Sequence, residues 1–231
     1  MNPDALKANL DAVLARIARA ADRAGRARSD VTLVAVTKRN PAEQIRPLVA
    51  LGACDLGENY PQELWSKSEA LAGLPVRWHL IGHLQGNKAK RTLPLVRVVH
   101  AVDSLKLLRT LNDLAAGLTD PPGVCLQVNT SGEEAKHGWS ADAILADAES
   151  VASCLAIPVV GLMTMAAYGT SAESARPSFV RLRETRDALR ARTGLALEHL
   201  SMGMSNDFEA AVEEGATLVR VGSALFEGVG A

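Results

Sequence analysis

Eight short apolar runs separated by stretches of helical composition recur along the 231-residue chain, at 31–38, 55–60, 77–83, 97–102, 123–130, 159–165, 197–203 and 217–222. Each is too short for a stable helix, and runs such as Val31-Thr-Leu-Val-Ala-Val36 are rich in β-branched residues. They predict strands buried on both faces. The segments between them, among them 41–51, 104–118, 141–155 and 172–192, have the length and composition of crossover helices. Regular strand–helix alternation predicts a parallel sheet, and eight units close into a (β/α)8 TIM barrel, a fold of roughly 250 residues. The expectation is one α/β domain over residues 1–231 with an extra N-terminal helix. Asn2-Pro3 reads as that helix's N-cap and first turn, followed by Leu6, Leu10, Val13, Leu14 and Ile17 at helical spacing. The helix either caps the barrel or makes a dimer contact, and a monomer is expected. The structural alternative, an open doubly wound sheet, lacks its usual nucleotide signals: no GxGxxG follows the first strand and no GxxxxGK[ST] occurs.

A net charge of −1 argues against general affinity for nucleic acid or anionic membranes. Cys54, Cys125 and Cys154 are odd in number and contain no CxxC, which fits reduced core thiols. With no signal-like h-region and no stretch of roughly twenty apolar residues, a cytoplasmic protein is expected.

Lys38 closes the first strand run. In a parallel α/β fold ligands bind at the carboxyl ends of strands. An amine held there in an apolar surround is shifted toward the neutral, nucleophilic form, which suits Schiff-base chemistry. The plain alternative is a strand-ending lysine that reaches into water. The other run ends are rich in polar and small residues: Gly57-Glu58-Asn59-Tyr60, His79 to His83, Asn129-Thr130, Met163-Thr164-Met165, Ser201 to Ser205, and Arg220-Val221-Gly222-Ser223. Ser201, Gly203 and Ser205 precede Asn206, read as an N-cap with Glu209 three residues on. Gly222-Ser223 opens a further short segment. Glycines that admit close backbone approach, hydroxyls and helix starts make a phosphate cup, and barrels commonly bind phosphate after strands seven and eight. Taken singly, each Gly-Ser step is an ordinary turn.

Other motifs weigh less. His79 and His83, on one strand, would stand about 13 Å apart and cannot share a metal. At least one reads as a satisfied histidine, with His83 the candidate ligand contact at the mouth. Gly203-Met-Ser205-Asn-Asp207 lacks the last glycine of a nucleophile elbow. Asn87-Lys88-Ala-Lys90-Arg91 reads as a solvated helix start. With a lysine on strand one and a phosphate cup opposite on strands seven and eight, the fitting ligand is an aldehyde that carries a phosphate.

The ordered set Ala35-Val-Thr-Lys38, Gly57-Glu-Asn-Tyr60, Trp78 to Gln85 with Asn87-Lys88, Val128-Asn129 running to Lys136-His-Gly138, Gly161-Leu-Met-Thr-Met165, Leu200 to Ser205 with Asp207-Phe-Glu209, and Val219-Arg-Val-Gly-Ser223 covers nearly the whole chain. It resembles the pyridoxal phosphate homeostasis protein family, also described as the proline synthase co-transcribed family, related to the N-terminal domain of alanine racemases. The resemblance implies pyridoxal 5′-phosphate joined to Lys38 as a Schiff base. It implies a phosphate held by Ser201, Ser205, Gly222 and Ser223 with backbone amides near Met204, and Arg220 facing the pyridine nitrogen. A guanidinium there disfavours a protonated ring and weakens the cofactor as an electron sink; an inward arginine paired with a carboxylate is the alternative. Asn59, His83, Met163 and Tyr168 are candidates for lining the mouth, or ordinary rim packing. Departures are modest: Pro61 after the Gly-Glu-Asn-Tyr turn, Glu227 where glycine is frequent, and Ser223 where threonine is common. With the sequence running to Ala231 just after the eighth strand, no second domain is expected to carry an opposed acid–base group. The expectation is a non-catalytic cofactor carrier or regulator that serves pyridoxal phosphate-dependent apoenzymes. The alternatives are a racemase of low activity using Lys38 and Tyr168, and a cofactor-free aldolase-like Schiff-base enzyme.

Overall fold

The computed structural model describes residues 2–133, 137–167 and 171–229. In chain order the elements are α1 (Pro3–Arg23), β1 (Thr32–Val36), α2 (Ala42–Ala50), β2 (Asp55–Glu58), α3 (Pro61–Ala70), β3 (Arg77–Leu80), α4 (Gly86–Thr92), β4 (Val98–Val102), α5 (Leu105–Ala115), β5 (Gly123–Gln127), α6 (Ala141–Ala146), α7 (Ala148–Ala152), β6 (Val159–Met163), α8 (Ala172–Thr193), β7 (His199–Ser201), α9 (Phe208–Glu213), β8 (Leu218–Val221) and α10 (Ser223–Phe226). The strands pair in parallel in sequence order, and β8 returns to β1 through Val34↔Arg220 and Ala35↔Val221, so the sheet is a closed barrel.

Alternation along each strand divides the apolar residues into two cores. The large one lies between sheet and helices and takes Leu33, Ala35, Leu56, Leu80, Leu126, Leu162, Leu200 and Val219. The small one, inside the barrel, is built from Val34, Val98, Ala101, Cys125, Met163 and Leu218. Buried polar side chains, Asp55, His79, His100, Ser201 and Arg220, share the barrel interior with it and form the floor of the site described below.

The predicted helices over 41–51, 104–118 and 172–192 correspond to α2, α5 and α8, with Ser104 and Ser171 side chains capping the last two. Several boundaries differ from expectation. The 141–155 segment is two short helices, parted at Asp147, whose Oδ2 accepts from Trp139 Nε1 at 2.8 Å. A short acidic side chain engaged in this way competes with continuous helix. The N-cap position of α9 is Asp207 rather than Asn206, and its side chain makes no capping bond to the helix. Strands β1, β3 and β5 stop at Val36, Leu80 and Gln127, short of their apolar runs. After β1 one further ladder bond forms, Thr37 N to Gly57 O at 3.0 Å, and Arg39 then takes φ 68° and turns the chain out of the sheet.

Helix α1 is capped as predicted, Asn2 Oδ1 accepting from the Asp4 and Ala5 amides. Its face of Leu6, Leu10, Val13 and Ile17 is buried within the chain, packed beside α9 and α10. At about 1.5–3 kcal/mol per large apolar side chain, that burial anchors the helix firmly. Asn2 N donates to Val229 O at 2.9 Å, and Asn9 Nδ2 donates to the Leu225 and Glu227 carbonyls at 3.1 and 2.8 Å. The face suggested for a dimer contact is therefore already covered from within.

Candidate functional site

The carboxyl ends of the strands form one mouth, with Lys38 two residues past the end of β1 and exposed. It is thus open to solvent rather than enclosed by apolar side chains. Its backbone is held from behind. Lys67 of α3 donates from Nζ to Thr37 O at 3.0 Å and to Glu58 Oε1 at 2.6 Å, and Thr37 Oγ1 donates to the same oxygen at 2.6 Å. Glu58 is fully buried, and its Oε2 has no hydrogen-bond partner among the described residues. Burial pushes the Glu58 carboxyl up, and the bonds from Lys67 and Thr37 act against that shift.

The cup after β7 and β8 is adjacent to the lysine strand, not opposite it, because β8 pairs with β1. Gly222 lies so close to Val36 that a Cβ added there would meet Val36 Cβ at 3.2 Å and its carbonyl oxygen at 3.3 Å. The Gly222 and Ala224 amides converge on Ser205 Oγ, each at 3.4 Å. Gly203 turns with φ 91°, where a Cβ would meet Ala211 and Phe208 at 2.7 and 2.8 Å. The Met204 amide is already engaged, donating to Asp207 Oδ1 at 2.6 Å. Ser223 is exposed at the start of α10.

Ser201 lies below this rim and is fully buried. Its Oγ meets His100 Nδ1 at 2.6 Å and accepts from Arg220 Nη1 at 2.5 Å, which moves it from the cup to the floor. Arg220 is buried, and its second bond runs from Nη2 to Thr164 O at 2.8 Å. Both hydrogen-bond partners are neutral, so the ion-paired alternative for Arg220 is not what the geometry supports. Burial lowers the guanidinium to about 10, against the pull of Asp207 and Cys125, and it stays charged at neutral pH. Burial likewise pushes the Cys125 thiol up to about 12, an inert core group.

Of the softer candidates, Met163 is fully buried in the inner core. Asn59 is half-buried beside Gly82, where a Cβ would lie 2.2 Å from Asn59 O. His83 is exposed on the loop after β3, with Nδ1 2.9 Å from Asp103 Oδ2 and its ring stacked on His137 at 5.9 Å between centroids. Tyr168 and Lys136 lie outside the described residues. His79 is a buried histidine on β3, bonded to Asp55 and His100.

The strand motifs did not reveal the polar floor made by Asp55, His79, His100, Ser201 and Arg220. The available signal was a polar residue at an inward position of each of five strands. This floor predicts an acid response. Burial holds His100 well below its ordinary value. Below about pH 6.5 the unfolded chain takes up a proton that the folded chain refuses, so stability falls on acidification by up to about 1.4 kcal/mol per pH unit for this group. Asp55 is held low by Arg77 and His79 against the penalty of its own burial, so its contribution is lost only as pH falls below about 4. Glu58 and Asp207, raised by burial, act in the opposite sense. Urea midpoints of wild type and His100→Gln between pH 7.5 and 5 isolate the histidine: the wild type should lose more stability over that range, and parallel curves would refute it.

Residues 8–229 match the family model described as "Alanine racemase, N-terminal domain". A pyridoxal phosphate homeostasis protein of Pseudomonas aeruginosa is 43% identical over 218 residues, which cover 94% of this chain and 93% of that protein. The chain belongs to the pyridoxal phosphate homeostasis protein family. The mouse member is 39% identical over 206 residues, covering 84% of this chain and 75% of that one. Among solved structures, PipY of Synechococcus elongatus PCC7942 with PLP bound superimposes with a TM-score of 0.80 at 36% identity, over 85% of this chain and 92% of PipY. Alanine racemase from Corynebacterium glutamicum, at 17% identity and TM-score 0.74, shares the fold and extends beyond it: the match covers 98% of this chain and 61% of that enzyme. Among the described residues no helix is long and apolar enough to cross a membrane.

Proposed function

We propose that the barrel binds pyridoxal 5′-phosphate as a Schiff base on Lys38 and serves its homeostasis in the cytoplasm as a carrier or regulator. The observation that carries this reading is the placement of three complementary groups at one mouth. An exposed primary amine follows β1, a small-residue cup abuts the same strand at Gly222, and a buried guanidinium with neutral partners lies on the floor. Ser205, Gly222, Ser223 and the Ala224 amide would take the phosphate, and Arg220 would face the ring nitrogen. Asn59 and His83 would line the rim. The bound cofactor supplies an electrophilic carbonyl able to exchange amines.

The exposure of Lys38 favours carriage over catalysis. A site open to water loses the exclusion that strengthens electrostatic and acid–base effects, so little rate enhancement is expected of it. An open amine also leaves the cofactor accessible to pyridoxal phosphate-dependent apoenzymes. The working unit is taken to be one barrel domain acting as a monomer.

Visible absorbance after pyridoxal phosphate addition and removal of excess, followed by borohydride reduction, tests the assignment. Wild type should turn yellow and carry a reduced adduct at Lys38, and Lys38→Ala should retain neither. A colourless, unmodified wild type would end the cofactor reading in favour of cofactor-free Schiff-base chemistry. Exchange of an amino acid α-proton with solvent, dependent on Lys38, would favour the weak racemase over the carrier.

A further inference from the structure

We propose that His100 is a positioning residue. It is the middle link of a one-way hydrogen-bond chain that turns the Ser201 hydroxyl proton away from the mouth and thereby fixes the Arg220 guanidinium on the floor of the site. The guanidinium's role toward a cofactor rests on the function proposed above; the direction of the chain stands without it.

The chain runs along the barrel interior from base to mouth. At the base, Arg77 grips Asp55 with two bonds, Nε to Oδ1 at 2.8 Å and Nη2 to Oδ2 at 2.6 Å. His79 Nε2 lies 3.1 Å from Asp55 Oδ1, and His79 Nδ1 lies 2.8 Å from His100 Nε2. His100 Nδ1 lies 2.6 Å from Ser201 Oγ, which accepts from Arg220 Nη1.

Proton positions follow from the two ends. An ionised carboxylate only accepts, so His79 carries its proton on Nε2. The charge of Asp55 is already met by Arg77, and a further buried cation beside Arg220 would be costly, so both imidazoles are neutral. His79 Nδ1 is then an acceptor, His100 donates from Nε2, and His100 Nδ1 must accept from the Ser201 hydroxyl. Burial of His100 pulls in the same direction. With its proton committed inward, Ser201 has only lone pairs to offer Arg220. Together with Thr164 O it holds the guanidinium plane from two sides.

Two measurements test this. Long-range 1H–15N spectra of the histidines in wild type without added ligand should show His79 and His100 both neutral and protonated on Nε2. A proton on His100 Nδ1, or a doubly protonated His79, would reverse the chain and overturn the proposal. Pyridoxal phosphate titration then compares His100→Gln, which keeps one donor and one acceptor, with His100→Leu, which keeps neither. His100→Gln should bind within about twofold of wild type with the wild-type absorption band. His100→Leu should bind about tenfold more weakly with a displaced band, the scale of a lost hydrogen bond to a charged group, while borohydride still traps the adduct at Lys38. A folded His100→Leu with wild-type affinity and band would overturn the positioning role. Should that variant fail to fold, Ser201→Ala removes the same support and must show the same weakening and displacement; unchanged behaviour there overturns the role equally. Failure of every protein, wild type included, to bind pyridoxal phosphate would refute the cofactor assignment, and the histidine spectra would still decide the direction of the chain.

Discussion

Replacing Lys67 by methionine is expected to destabilise the protein by about 3–5 kcal/mol at pH 7.5, the usual consequence of leaving one member of a buried ion pair alone. Glu58 is fully buried, and one of its oxygens already lacks a partner among the described residues. Without Lys67 the other oxygen keeps only the Thr37 hydroxyl, and the carboxyl must take up a proton to remain inside. That requirement gives the effect a signature in pH. The orphaned Glu58 has its folded value raised above the unfolded one, so the deficit is full well above that raised value and shrinks as pH falls toward about 4.5. Urea denaturation at pH 7.5 and pH 5 should show the loss diminishing, and Glu58→Gln in the Lys67→Met background should recover most of it. A Lys67→Met protein within about 1 kcal/mol of wild type at pH 7.5 would mean that the pair contributes little. Because Lys67 also holds the Thr37 carbonyl, the variant frees the backbone that aims Lys38.

The second large effect is expected at Gly161, where strands β6 and β7 approach with no room for a side chain. A Cβ there would lie 1.9 Å from the His199 carbonyl oxygen and 2.6 Å from its carbon. Both obstacles are backbone, in a residue that pairs directly with Gly161, so relief requires parting the two strands. Gly161→Ala should cost about 3 kcal/mol or more, or prevent folding altogether. Gly86→Ala is the control: its added methyl meets only Thr110 Cγ2, at 3.6 Å, in the first turn of α4, and stability should change little. Thermal denaturation of the two variants side by side would show whether the clash or the mere loss of glycine matters. Equal melting temperatures would rule out the clash.

The barrel was legible because its signals are local. Eight β-branched runs and capped, amphipathic segments each declare their own state, and eight alternations admit few closures. Lys38 and the Gly222-Ser223 step were legible for a related reason, since the residue that ends a strand run stands at a mouth. What lay deeper was set by register, which local pattern does not carry. Whether Ser201 faces the rim or the floor depends on how β7 is staggered against β8, and a single run of apolar letters gives no stagger. The His79–His100 contact joins residues on neighbouring strands through their inward faces, and only closure brings Arg220 to the same floor. Lys67 is an ordinary helix lysine until α3 places it over Glu58. The Met204 amide reads as free until Asp207 is seen to cap it. In each case the missing fact was a partner distant in sequence.

Helix α1 lies on the outside of the barrel, yet it reaches the segment that forms one wall of the cup. Asn9 grips the Leu225 and Glu227 carbonyls at the end of α10, and Gly222, Ser223 and Ala224 stand at that element's start, immediately before Leu225. So short an element has little stiffness of its own, and its lifetime in place is borrowed from the long helix packed beside it. For any anion held in the cup, the rate of escape is therefore governed in part by contacts on the far side of the wall. Surface changes along α1 would be felt as altered residence time, with the strands themselves unmoved.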